Sequence, residues 1–192
     1  MSDHIDFYFD IISPYAFIAH KKIQNLNNVT FNYKPIFLGG LHNLAGIEAP
    51  AFNKYKMQNM RNDCDLVAFK NKIKFQWNSK FPINSLNIMR GYLSVNSSKK
   101  IEYLNCFFDA YWKDNKDLSN LETINNLLSH LKIDQKKFYT SIKEQVTKDE
   151  LIELTNKAFQ KEVFGAPTFV VNNKIFWGQD RLEYALDELK SN

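Results

Sequence analysis

Short apolar runs at the two ends of the chain frame a long middle in which apolar residues return at helical spacing. His4-Ile5-Asp6-Phe7-Tyr8-Phe9 is brief and rich in aromatic and β-branched residues, as a buried strand is. Behind it, Ser13-Pro14 offers an N-cap and a first-turn proline. Ala16, Phe17, Ile18, Ala19 and Ile23 then begin an apolar helical face that stops at the Asn-rich break of residues 25–28. Residues 29–37 read as a second strand, interrupted by Pro35. The chain opens strand, helix, strand.

From about Gly39 to about Lys161 no convincing strand occurs. Periodicity predicts helices around residues 55–73, 84–95, 99–113, 121–131 and 150–161, with breaks at Phe81-Pro82, Ser97-Ser98 and Asp114-Asn115. Strand character returns with Thr168-Phe169-Val170-Val171, the two-residue turn Asn172-Asn173, and Lys174-Ile175-Phe176-Trp177, a hairpin pattern. Gly178-Gln179-Asp180 leads from it into an amphipathic helix ending near Leu189. The order is βαβ (1–38), a helical insertion (about 39–161) and ββα (162–192), an α/β thioredoxin-like layout on a single chain of residues 1–192.

Composition narrows the function classes. With 192 residues and 44% hydrophobic content the chain can bury a real core, so disorder is not expected. The net charge of +4 comes from scattered lysines among acidic residues, without the basic block of a nucleic-acid binder, although it favours encounter with a small anion. The N-terminus lacks the features of a secretory signal and no apolar run is long enough to suggest a membrane span, so a soluble, cytoplasmic protein is expected. Cys64 and Cys106 form neither a CxxC pair nor a zinc spacing, and His4, His20, His42 and His130 have no ligand spacing either; no metal site is expected. Met57 with Met60, and Phe107, Phe108 and Tyr111, read as helix packing.

Three junctions carry candidate chemistry. Asp10-Ile11-Ile12-Ser13-Pro14-Tyr15 puts a hydroxyl at a helix N-terminus, where unpaired N–H groups and the dipole favour an anion such as a thiolate. Serine cannot exchange disulfides, but it can hydrogen-bond to a thiolate supplied by a cofactor; Ser-Pro is equally an ordinary helix start. Phe164-Gly165-Ala166-Pro167-Thr168 fits a cis-proline turn leaving the Ala166 backbone to pair with an extended peptide-like ligand, or simply a trans proline leading a strand. Gln179 and Asp180 offer an amide and a carboxylate at a helix start, suited to an amino-acid-like group; Asp180 with Glu183 also satisfies the capping-box pattern.

Taken in order, Phe7-Tyr8-Phe9-Asp10 with Ser13-Pro14-Tyr15, Leu38-Gly39-Gly40, Phe81-Pro82-Ile83-Asn84, Ala110-Tyr111-Trp112, Val163 to Thr168 and Phe176 to Leu182 resemble the 2-hydroxychromene-2-carboxylate isomerase family over nearly the whole chain. That family is related to kappa-class glutathione transferases and to DsbA-type thioredoxin folds with a helical insertion. The resemblance implies a glutathione-dependent cis–trans isomerisation of a small aromatic 2-hydroxy acid. Ser13 is then the catalytic serine holding the glutathione thiolate, with Ala166 and the adjoining Pro167 at the cysteinyl part and Gln179 with Asp180 at the γ-glutamyl part. Lys56 stands near the glutathione and substrate carboxylates, and Tyr15 and Asn84 toward the substrate; Lys56 also reads as a solvated helix lysine and Asn84 as a helix cap. A homodimer is implied as well, although no stretch identifies an interface. Gly46-Ile47-Glu48-Ala49-Pro50 departs from the family's Gly-Asn, so an asparagine that the resemblance places against glutathione is missing and altered cofactor affinity is expected; Asn43 stands where relatives often have lysine and Asn59 where they often have tyrosine, so an altered acceptor pocket is expected as well. A kappa-type transferase and a non-catalytic thioredoxin-fold binding module are the alternatives.

Overall fold

The computed structural model describes residues 3–191. β1 (His4–Phe9), α1 (Pro14–Ile23) and β2 (Thr30–Pro35) come first, and β3 (Thr168–Val171), β4 (Lys174–Trp177) and α9 (Leu182–Lys190) last. Between them lie α2 (Leu38–Ala45), α3 (Lys54–Lys70), α4 (Leu86–Ser94), α5 (Lys100–Trp112), α6 (Leu121–His130), α7 (Gln135–Ser141) and α8 (Gln145–Gln160). The four strands form one sheet in the order β2-β1-β3-β4. β1 runs parallel to β2, with Phe9 opposite Pro35, and antiparallel to β3; β3 and β4 form the hairpin. Pro35 thus ends β2 at its last paired position and does not interrupt it.

β1 is buried on both faces because each face meets helices. Its alternate residues Ile5, Phe7 and Phe9 enter the main core with Phe17 of α1, Tyr92 of α4 and Phe108 of α5, and Phe7 stacks on Phe169 of β3 at 5.5 Å. Tyr8 points the other way, into a smaller cluster with Ile36, Leu41, Ala158 and Val163, where α2 and the end of α8 cover the sheet. This two-sided packing holds the C-terminal end of β1, where the chain leaves the sheet for α1.

The two Asn residues of the hairpin turn take φ of 50° and 61°, the left-handed pair that a two-residue turn needs. α2 and α7 were not expected from periodicity. α2 is eight residues with two glycines and no side-chain cap, and α7 is seven residues, too short to show a repeating apolar face. α8 starts five residues before the expected position, at Gln145.

Candidate functional site

The loop from Asp10 to Ser13 is tied on every side. The Ser13 N–H donates to the Asp10 carbonyl at 3.0 Å, the Trp112 indole N–H to the Ile11 carbonyl at 2.8 Å, and the Ile12 N–H to Asp10 Oδ1 at 3.1 Å. Asp10 Oδ2 accepts from the Leu38 N–H at 2.8 Å and from Ser85 Oγ at 2.9 Å. One fully buried carboxylate therefore joins the exit of β1 to the starts of α2 and α4. Burial pushes its pKa up to about 6, and the hydrogen bonds from Leu38, Ile12 and Ser85 hold it from rising further. Asp10 and Ser85 were not among the expected site residues, because their partners lie 28 and 75 positions apart in the chain.

Ser13 caps α1 as expected: Oγ accepts from the Ala16 N–H at 3.1 Å. The same hydroxyl donates to the Ala166 carbonyl at 2.8 Å, which brings the first and second junctions together across 153 residues. The Ala166-Pro167 bond is cis, as is Phe81-Pro82. Pro167 itself is buried, its carbonyl accepting from the Gly178 N–H at 2.9 Å.

Above Ser13 lies a cavity of about 640 Å³, also lined by Tyr15, Lys56, Asn84 and Ala166, and by Glu48, His42 and Ser85. Phe37, Phe52, Phe81, Phe164 and Trp177 supply aromatic walls, so the space is mainly apolar with a few polar groups converging on it. Trp177 packs on Phe164 at 4.9 Å between ring centres and lies against Gly165, where a Cβ would meet its indole nitrogen at 2.6 Å; only glycine lets the ring lie there. The Tyr15 hydroxyl donates to Asp63 Oδ2 at 2.7 Å, and burial together with that carboxylate pushes the phenol's pKa up. It therefore stays protonated and braces α1 against α3. Lys56 is exposed on α3, and its ammonium has no carboxylate partner among the described residues. Asn84 lines the cavity and accepts from the Leu86 N–H at 2.9 Å, one position before Ser85, the N-cap of α4.

The third junction is placed differently. Gln179 and Asp180 are not among the described side chains lining the cavity. Gln179 is buried, and its amide oxygen accepts from Lys22 Nζ at 2.6 Å, which draws the side chain along α1. Asp180 is exposed, close to Gly178, whose φ of +112° suits glycine. The capping box does not form: α9 begins after a 3-10 turn at Gln179–Arg181 and has no side-chain cap. The turn takes up the residues that a box would need.

Among the described residues, neither cysteine lines the cavity, and burial pushes both thiols up. His20 is a core residue: Nε2 lies 2.6 Å from Asn105 Oδ1 and Nδ1 3.1 Å from the Tyr33 hydroxyl, and burial lowers its pKa to about 4.

A serine-capped helix beside a cis-proline strand, on a sheet interrupted by a helical block, defines the thioredoxin fold. The chain belongs to the DSBA-like thioredoxin domain family, whose model matches residues 4–190. Its curated relatives include 2-hydroxychromene-2-carboxylate isomerase of Sphingobium xenophagum, 25% identical over 96% of each chain. Glutathione S-transferase kappa 1 of Caenorhabditis elegans is also 25% identical, over 97% of this chain and 90% of the relative. A solved 2-hydroxychromene-2-carboxylate isomerase superposes with a TM-score of 0.88 at 23% identity, over 97% of this chain and 94% of that one, and shows that the two share a fold.

Proposed function

We propose that the protein binds glutathione at Ser13 and uses it to interconvert cis and trans forms of a small aromatic acid of the 2-hydroxychromene-2-carboxylate type. The observation that carries this is the convergence of Ser13, at the N-terminus of α1, with Ala166, Lys56 and Asn84 on one aromatic-walled cavity. The residues fit the cofactor. The Ser13 hydroxyl is anchored as an acceptor by Ala16, and its proton, now given to the Ala166 carbonyl, turns toward a thiolate by rotation about a single bond. The N-terminus of α1 adds the positive end of the helix dipole, with Pro14 carrying no N–H and the Ala16 N–H held by Ser13 Oγ. Bound glutathione supplies a nucleophilic sulfur that adds reversibly to a conjugated double bond and so permits rotation about it.

Ala166 and Pro167 serve the cysteinyl part, and Gln179 with Asp180 the γ-glutamyl part, two residues along the chain from Trp177 at the cavity wall. Lys56, in no ion pair among the described residues, takes a carboxylate of substrate or cofactor. Tyr15 forms part of the substrate wall through its ring, because its hydroxyl is committed to Asp63. Asn84 offers its amide N–H to the substrate while its oxygen holds Leu86. A cytoplasmic homodimer completes the reading; among the described residues no helix is long and apolar enough to cross a membrane.

Calorimetric titration with reduced glutathione, followed by the thiolate absorbance of the complex across pH, tests the proposal. Saturable binding with the thiol pKa below its free value is expected, and Ser13→Ala should abolish the thiolate signal; no binding at millimolar glutathione refutes it. The kappa-class relative supports a transferase as the second reading. A product that keeps the glutathionyl group identifies the transferase, and a product without it the isomerase.

A further inference from the structure

Making a thiolate at Ser13 near neutral pH requires a destination for the thiol proton, and the serine is not one: its hydroxyl is a donor to that thiolate. His42 of α2 lines the same cavity, half-buried, and its ring has no hydrogen-bond partner among the described residues. Burial lowers its pKa, so the resting ring is neutral and carries a lone pair able to accept a proton. Its place in the last turn of α2, at the negative end of the helix dipole, favours the cation once the proton has arrived.

Glu48, in the segment after α2, and Lys56 of α3 are the charged groups that line the cavity with His42, whose shift has desolvation as its cause. From α1, Tyr15 is locked to Asp63; beneath α2, Asp10 is held by Leu38 and Ser85. From α8, Lys148 stands at a separate groove with Asn43 and Leu44.

We infer that His42 is the proton carrier for the thiol bound at Ser13, an assignment that rests on the glutathione reading above. His42 takes the S–H proton on a ring nitrogen while the S–H electron pair stays on sulfur. It returns that proton when the cofactor leaves, and nothing is oxidised or reduced. The site thereby makes its nucleophile without exchanging a proton with solvent at each turnover.

Calorimetry of reduced glutathione binding to the whole protein at neutral pH, repeated in buffers of different ionisation enthalpy, counts the protons released; thiolate absorbance is read on the same samples. With the wild type, thiolate should form with little net release, because the proton stays on His42. With His42→Gln, and with His42→Asn as a second variant in case one misfolds, two outcomes support the assignment. In one, release rises toward about one proton per thiolate formed; in the other, glutathione still binds but the thiolate band is lost. Variants matching the wild type in both readouts overturn the role of His42 and leave the glutathione reading intact. Failure of the wild type to bind glutathione removes that reading and this one with it.

Discussion

Ser13 joins two parts of the fold through the same hydroxyl that we propose holds the thiolate. It is 4% exposed, accepts from Ala16 and donates to Ala166, so replacing it removes a cap and a cross-chain bond together. Ser13→Ala should lower unfolding stability by about 1 kcal/mol, the usual value of an N-cap, with an unchanged denaturant slope in urea titration. A loss of 4 kcal/mol or more would mean that the residue is mainly structural. Tyr15 carries the complementary expectation. Tyr15→Phe keeps the ring in the cavity wall and leaves Asp63 without its donor, so stability should fall by about 1 kcal/mol while glutathione affinity stays within a few-fold. A large affinity loss would show that the hydroxyl reaches ligand. Motifs at element boundaries named Ser13 and Ala166, and the family resemblance added Tyr15, Lys56 and Asn84; the fold brings all five to one cavity. Asp10 and His42 were not readable as site residues. A lone Asp or His carries no local signal, and only the folded chain brings Leu38 and Ser85 to one and the cavity to the other.

Between elements, the site depends on a clasp more than on any single helix. Asp10 gathers N–H and O–H donors from the loop, α2 and the segment before α4, and each of those segments contributes a wall of the cavity. Asp10→Ala leaves these buried donors unpaired. The cost should be on the order of 3 kcal/mol, well above that of Ser13→Ala, with glutathione binding weakened as α2 and the Asn84 segment lose their common anchor. Urea denaturation and calorimetry check this; a stability within 1 kcal/mol of wild type would mean that the three segments are held by packing alone. The same elements show what patterning reveals. The hairpin was legible to the residue, since alternation and an Asn-Asn turn are local. The strand-helix-strand opening was legible in its order, although β2 is shorter than residues 29–37 and includes Pro35. The helix carrying His42 was not, because eight residues with paired glycines give no period, and α2 is held by Asp10 at its start and by packing on α8. Gln179 was placed at the right junction, but its side chain could not be oriented, because Lys22 lies 157 positions away.

At the scale of the whole molecule, two buried groups that titrate below neutrality set opposing pH dependences. Asp10 has a folded pKa of about 6 against an ordinary 3.8, so its contribution to stability is complete below pH 3.8 and is lost as pH rises through about 6. His20 has a folded pKa of about 4 against an ordinary 6.5, so its contribution is complete above pH 6.5 and is lost as pH falls through about 4. The cause in both is desolvation of the charged form, with Asp109 favouring and Lys21 opposing the His20 cation. At about 1.4 kcal/mol per unit each shift corresponds to roughly 3 kcal/mol, and the two run against each other across the same window. Partly buried carboxylates with lowered pKa values, Asp117 and Glu188 among them, add a loss of stability at more acid pH that all variants share. Urea unfolding of the wild type should therefore change little between pH 4 and 6 on account of this pair. Asp10→Asn leaves His20 unopposed, and its stability should climb as pH rises through that window; His20→Gln leaves Asp10 unopposed, and its stability should fall. Parallel curves for the three proteins would mean that neither group titrates as its burial requires. Opposed slopes would show that the carboxylate clasping the site is tolerated in its charged form near neutrality, because its three donors hold it while the core histidine stays neutral.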